Sequence, residues 1–294
     1  MDLQQKERFL EIGACLAVSL YLTLTMVAVI STVSPFLNRL ASHGKTRINS
    51  QDGDKWATKS FLYKLSEHPI FMISKARFSD FYSIGIVWTT FCLWNQPKGI
   101  LPTLLYIHLT RRFLECNFVH VWNGKMHIAG YALGLLHYVL LPFIFHSQAD
   151  EGPFTIFTMI GVIMNIYGQY NQFRHHQILA SYRSNTRIGL KYTMPNGRWF
   201  KYVSCPHYLA EIMIYASFAS LLHPIVLSEE ISTCNIAGIR IEFFGMNLKH
   251  YRHLILFLWV LVNLSVSAKS SHQWYKKTFT SYPKDRCALI PYIW

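Results

Sequence analysis

Four runs of polar and titratable side chains in this chain are pressed against long apolar segments. In the first, His108, Arg112 and Glu115 recur at i, i+4 and i+7, so a helix carries them on one face. Ionised groups at membrane depth are costly and turn toward a cavity or a partner. The trio therefore reads either as a cavity lining or as a structural Arg112–Glu115 pair. The second run, Gln172 to Arg183, places His176 and Arg183 seven residues apart, again on one face. Arg174, Arg183 and Arg187 have the forked geometry that grips phosphate, or they anchor the chain among lipid headgroups. The third run is Ser204-Cys-Pro-His-Tyr-Leu-Ala-Glu211. It reads as a helix start with Ser204 as cap and Pro206 in the first turn. Its His207 and Glu211 form an i, i+4 pair, and with Tyr208 they offer a helix amino terminus to an anionic ligand; an interfacial intrahelical hydrogen bond explains the same spacing. In the fourth run, His272 and Tyr275 lie one turn apart. An imidazole and a phenol on one wall can donate protons or bind a carbonyl oxygen, although an interfacial aromatic belt would also place Trp274 and Tyr275 there.

Other chemistries have no signature. The chain lacks a G-x-G-x-x-G, P-loop, G-x-S-x-G or H-E-x-x-H motif, which argues against nucleotide held by a Rossmann or Walker site. The six cysteines form no C-x-x-C pair, and most fall in or beside apolar segments, where a thiol behaves as a small hydrophobe. His127, His137 and His146 have no carboxylates at ligand spacing, so no metal is expected.

The elements that must position these runs are membrane spans. Of 294 residues, 51% are hydrophobic, 15% aromatic and only 15% charged, against about 25% charged in soluble domains; mean hydropathy is +0.19. The net charge of +13 does not point to nucleic acid, because the basic residues sit in loops between apolar segments. Seven segments approach the length that crosses roughly 30 Å of hydrocarbon: 9–34, 80–95, 100–121, 127–147, 154–173, 207–227 and 252–271. The first is too long for a signal-peptide core and has no small-residue cleavage site after it. The expected fold is an all-α, polytopic membrane protein of seven transmembrane helices, forming one domain over 1–294.

The loops orient it. Arg39, Lys45, Arg47, Lys55, Lys59, Lys64, Lys75 and Arg77 follow the first span. Arg174, Arg183, Arg187, Lys191, Arg198 and Lys201 follow the fifth, and Lys276, Lys277, Lys284 and Arg286 follow the seventh. The loop after the fourth has Asp150 and Glu151, and the loop after the sixth has Glu229, Glu230 and Glu242 against Arg240 and Lys249. With seven spans the basic segments fall on one side, and the positive-inside rule places the carboxyl terminus in the cytosol.

Several stretches resemble the steroid 5α-reductase family, in its polyprenol (polyprenal) reductase branch. They are Pro195-x-Gly-x-Trp-Phe-x-Tyr-Val-Ser-x-Pro-His-Tyr-Leu-Ala-Glu211, Tyr282-Pro-Lys-x-Arg-x-Ala-Leu-Ile-Pro291, His108-Leu-Thr-Arg-Arg-Phe-Leu-Glu-Cys116 and Met126-His-Ile-Ala129. The resemblance runs from about Lys75 onward and is family-like chiefly over about 125–294. It implies a seven-helix fold in the endoplasmic reticulum membrane and NADPH-dependent reduction of a carbon–carbon double bond conjugated to a carbonyl. Carried over by motif, Arg112, Gln172, His176, Arg183, Tyr192, His207, Tyr208, Glu211, His272 and Tyr275 fall at or beside cofactor-contacting positions. Gln172 and His207 stand where steroid-reducing members have Asn, His176 where they have Asp, Thr193 where they have Arg, and Leu109 where they have a substrate-facing Tyr. No counterpart of their carbonyl-binding Glu is found in the 55–80 region. These departures turn the expected substrate from a steroid to a long-chain isoprenoid.

Hydride is a nucleophile and adds readily only to an electron-poor alkene. The expected substrate is therefore a polyprenal, reduced at its α-isoprene unit toward dolichal and dolichol for protein N-glycosylation. The expected acid groups are His272 and Tyr275, with Glu115 or Glu211 orienting a donor, and the isoprenoid tail lies among membrane lipids. The rivals are a very-long-chain trans-2-enoyl-CoA reductase, a 3-oxo-5α-steroid 4-dehydrogenase, a membrane methyltransferase and a non-enzymatic lipid scaffold.

Overall fold

The computed structural model describes residues 3–31, 68–94, 99–146, 155–184, 192–221, 233–236, 239–242 and 248–291. Seven long helices stand among them: α1 Leu3–Ser31, α2 Phe78–Leu93, α3 Ile100–Phe118, α4 Ile128–Phe145, α5 Ile156–Ser184, α6 Pro206–Ser220 and α7 Leu248–Thr278. Each coincides with an apolar segment of the sequence. The fifth runs eleven residues past its apolar stretch, because the polar run ending at Ser184 continues the helix. The loop residues Arg39, Lys45, Arg47, Lys55, Lys59, Lys64, Asp150, Glu151, Arg187, Lys191, Glu229 and Glu230 lie outside the described residues.

The expectation of helices alone is incomplete. Two short antiparallel ribbons join them. β1 Met72–Ser74 pairs with β2 Lys125–His127, with Ile73 opposite Met126. β3 Thr233–Ile236 pairs with β4 Ile239–Glu242. Three-residue strands carry too little periodicity to be read from sequence. The first ribbon matters for the site, because it fixes the entries to α2 and α4. His127 ends β2 and caps α4, its Nδ1 accepting from the Ala129 amide at 3.1 Å, so it is a capping residue and not part of a span.

Three helical stretches, Gln4–Ser31, Ile128–Phe145 and Tyr251–Thr278, are long and apolar enough to cross a membrane. α5 shows the pattern another way. Asn165, Gln169, Gln172 and His176 lie at i, i+4, i+7 and i+11 and are all buried, while Ile156, Ile160, Ile163 and Ile166 are exposed. A helix with its polar face inward and its apolar face outward suits hydrocarbon and would be unstable in water.

α5 packs on α6, α2 on both α3 and α4, α1 on α4 and α7, and α6 on α7. The α5–α6 approach depends on Gly168, where an added Cβ would lie 2.9 Å from Ile214 Cγ1 and 3.1 Å from the Ala210 carbonyl. Buried thiols Cys92, Cys116 and Cys205 behave as the expected small hydrophobes, whereas Cys15 is disulfide-bonded.

The Gly168 contact gives a stability prediction. Overpacking costs about 1–3 kcal/mol, more than the gain of up to about 1 kcal/mol from replacing a helical glycine by alanine. Gly168→Ala should therefore lower the thermal midpoint in detergent, and a raised midpoint would show that α6 can recede freely.

Candidate active site

Nearly all the polar runs converge, and they do so in two adjoining groups. The inner group is organised by α3. One carboxylate, that of Glu115, is approached by three groups. Arg111 and Arg112 both ion-pair with it, and His176 Nδ1 lies 2.6 Å from its Oε2. Arg112 Nε donates to the Tyr82 hydroxyl at 3.0 Å. Arg111 Nε donates to Gln169 Oε1 at 2.6 Å, and its NH2 donates to Gln172 Oε1. Gln172 in turn donates to Glu211, whose Oε1 faces His108 Nε2 at 3.4 Å. Gln169 continues to Asn165 at 3.2 Å, and Asn165 donates to Ser217 Oγ at 2.8 Å.

This lattice ties α2, α3, α5 and α6 together. Its two guanidiniums face two carboxylates, so it is neutral when the imidazoles are uncharged. That balance is what permits Arg112, Glu115 and His176 to be buried, because a buried charge without a partner carries a penalty of several kcal/mol. The Arg112–Glu115 pair read from the sequence exists, but as one edge of a network. Arg111 joins the lattice as well, and its place there has no sequence signal beyond its neighbour.

Glu115, His120 and His176 also present ligand atoms within 4.8 Å of one another, a grouping not foreseen from the sequence. Arg112 NH1 reaches all three, pairing with Glu115 and lying 2.9 Å from His176 Nδ1 and 3.4 Å from His120 Nε2. A guanidinium thus stands where the three ligand atoms converge.

The outer group joins α5, α6, α7 and the tail. The Arg183 guanidinium interacts electrostatically with Tyr275, Tyr208 and Tyr192, and with Lys75 after β1. Burial, with Arg183 nearby, pulls the Lys75 ammonium down to about 8. The His207 ring lies tilted against Tyr208, 4.2 Å between centroids, and 5.6 Å from His176. It therefore bridges the two groups. Tyr192 meets Trp274 edge-on at 5.0 Å.

His272 and Tyr275 are held by Tyr282, the first residue of the tail motif, to which the sequence assigns no site role. Tyr275 stacks on its ring at 5.9 Å, and His272 Nδ1 lies 3.3 Å from its hydroxyl. Ser204 Oγ reaches the same hydroxyl, lies 2.7 Å from His272 Nδ1 and donates to the Cys287 carbonyl at 3.0 Å. Burial pushes the Tyr282 phenol up, so it keeps its proton for this cluster. Ser204 is thus not the cap of α6. Cys205 is the N-cap residue and makes no side-chain cap bond, while Pro206 does occupy the first turn. Ser204 fastens the tail instead, beside the Val203–Cys287 bridge and the Arg286 bond to the Pro195 carbonyl at 3.2 Å. The three groups expected to act together, His272, Tyr275 and Glu115, fall in different groups: the first two in the outer, Glu115 in the inner.

A family model described as 3-oxo-5-alpha-steroid 4-dehydrogenase matches residues 125–228 and 226–294. Similar curated proteins include the polyprenal reductases of Ailuropoda melanoleuca, Homo sapiens and Xenopus laevis, each 30% identical to this chain. The alignments cover 76%, 76% and 80% of this chain and 79%, 78% and 82% of the respective relatives.

Removing Glu115 tests the electrostatic reading. Glu115→Ala leaves Arg111 and Arg112 facing a void, and breaking a buried pair costs about 3–5 kcal/mol. The variant should lose most of its folded yield in detergent, as read by size-exclusion chromatography. Wild-type yield and melting would mean that the guanidiniums are compensated elsewhere.

Proposed function

We propose, starting from the premise that this chain belongs to the 3-oxo-5-alpha-steroid 4-dehydrogenase family and is a reductase acting on a carbon–carbon double bond, that its substrate is a polyprenal and its reductant NADPH. The reaction is saturation of the α-isoprene double bond to give dolichal, on the route to the dolichol used in protein N-glycosylation. The observation that carries the substrate class is the similarity to polyprenal reductases along more than three quarters of the chain. The chemistry agrees: an aldehyde conjugated to the alkene draws electrons from the β-carbon, and an allylic alcohol does not.

NADPH fits the two adjoining groups. The outer group offers cations and aromatic faces, with Arg183 and Lys75 close enough to affect one another, an arrangement that an intervening phosphate would stabilise. Tyr192, Tyr208 and His207 extend this surface toward the inner lattice, where Arg112, Gln172, His176 and Glu211 present fixed donors and acceptors. When bound, NADPH supplies the hydride. The lattice holds the polar end still, and the aromatic cluster around Tyr275 and Tyr282 covers it from water. The isoprenoid tail lies along the outward apolar faces. In this reading all seven helices cross the endoplasmic reticulum membrane, and the outer group and the carboxyl terminus face the cytosol.

Purified full-length protein with NADPH should oxidise the cofactor with polyprenal at least about tenfold faster than with polyprenol, a Δ4-3-ketosteroid or a C20 enoyl-CoA. An enoyl-CoA preference would replace the reading by its nearest rival, and polyprenol matching polyprenal would remove the aldehyde argument.

Lys75 gives a pH test. Its folded value is lowered, so its charge is present below about pH 8 and lost above it. NADPH affinity measured by fluorescence titration should therefore weaken as pH rises from about 7.5 to 9, and Lys75→Gln should flatten that profile. An unchanged profile in the variant would take Lys75 out of the phosphate site.

A further inference from the structure

A pair of phenols adjoins the Arg112 edge of the inner lattice. Tyr82 on α2 and Tyr138 on α4 meet edge-on, 5.1 Å between ring centroids, and the two phenols influence one another electrostatically. Tyr82 also accepts from Arg112 Nε at 3.0 Å, with the guanidinium carbon 5.0 Å from its ring centroid. A guanidinium can only donate, so this bond takes a lone pair of the Tyr82 oxygen and none of its hydrogen. Among the described residues no group accepts the Tyr82 hydrogen, which is left to donate outward.

The setting suits an acid. The Arg112 guanidinium, 3.0 Å from the phenol oxygen, is placed to face the negative charge left there when the proton is donated. Glu115 and His176 fix Arg112 from the far side. Gly85 makes room for Tyr138: a Cβ there would lie 3.0 Å from its ring and 3.3 Å from Leu109 Cδ2. Both phenols are buried, and away from water a hydrogen bond to a developing oxyanion is worth more.

We propose that Tyr82, backed by Tyr138 and charged by Arg112, is the catalytic acid that receives the carbonyl oxygen of the substrate. The inference rests on the reading that the reducible alkene is conjugated to a carbonyl. Hydride from the reduced nicotinamide forms a bond to the β-carbon. The alkene electron pair shifts to the α-carbon–carbonyl-carbon bond, and the carbonyl pair moves to oxygen. That oxygen takes the Tyr82 proton, leaving an enol and a phenolate beside Arg112. Protonation of the α-carbon by a proton from solvent then restores the carbonyl, and the enol proton returns to Tyr82. The sum is one NADPH and one proton consumed per saturated aldehyde. In this scheme His272 and Tyr275 belong to the cofactor's cover and not to the acid.

The test uses full-length protein in detergent with Tyr82→Phe, Tyr138→Phe and the double variant. Loss of an oxyanion donor costs about 100- to 1000-fold in kcat. Tyr82→Phe should lose at least about 100-fold in kcat on polyprenal and Tyr138→Phe about tenfold, with NADPH dissociation constants within threefold of wild type. A kcat within threefold of wild type for Tyr82→Phe would overturn the proposal while leaving the substrate reading intact. If Tyr82→Phe no longer binds NADPH, the decision passes to Tyr138→Phe, which keeps the Arg112 contact; an unchanged kcat there overturns it. If wild type ignores polyprenal and reduces the enoyl-CoA or the ketosteroid, the substrate reading fails alone, and the same loss in Tyr82→Phe on that substrate keeps the acid.

Discussion

The structure depends on a single shared carboxylate. Glu115 faces two guanidiniums and an imidazole where four helices meet, and each of those helices is placed by what it brings to that point. α2 brings Tyr82, α5 brings His176, Gln169 and Gln172, and α6 brings Glu211. A buried arginine and a half-buried one on consecutive positions of α3 need partners. With Glu115 and Glu211 opposite them they make a neutral lattice, whose cohesion grows as water is excluded. In a helical membrane protein, where apolar packing between helices competes with equally apolar lipid, such a lattice does much of the work of holding the helices in register.

The same lattice has chemical uses. Its guanidinium stands where three ligand atoms converge, providing a fixed cation that cannot lose its charge. Polar side chains on α5 and α6 are committed to one another and cannot wander, so the surface proposed to hold the nucleotide is preorganised. The outer group is built differently. Tyr275, Trp274, Tyr282 and Phe279 make an aromatic cover, fastened by Ser204 to the tail. Under the proposed function, this cluster shields the hydride donor from water while the inner lattice holds its polar end.

Much of this was legible in the sequence. Seven apolar segments gave seven helices, since continuous hydrophobicity over sixteen or more residues survives any local ambiguity. The i, i+4, i+7 spacing of His108, Arg112 and Glu115 revealed a polar helix face, and all three contribute to the lattice. The pairings were less legible. Glu211 was read with His207 on its own helix, whereas the structure turns it to Gln172 and His108 on two others. Ser204 was read as a cap because its position before Pro206 is the local signature of one, but a bond to residues about seventy and eighty positions away displaced that role. Tyr82 and Tyr138 lie in apolar stretches where a tyrosine looks like packing. Only the arrival of Arg112 from a third helix makes their hydroxyls notable, and no spacing within one helix encodes that. The short ribbon of Met72–Ser74 with Lys125–His127 was invisible for the same reason, being a contact between distant segments of three residues each.

The central claim is that hydride reaches the alkene and not the carbonyl. It is tested most directly by incubating the purified protein with polyprenal and NADPH deuterated at the transferable C4 position, then locating the label in the product by mass spectrometry and NMR. The account predicts a saturated aldehyde with one deuterium on the β-carbon of the α-isoprene unit and none on the aldehyde carbon. Deuterium on the carbonyl carbon, with the double bond intact, would contradict it.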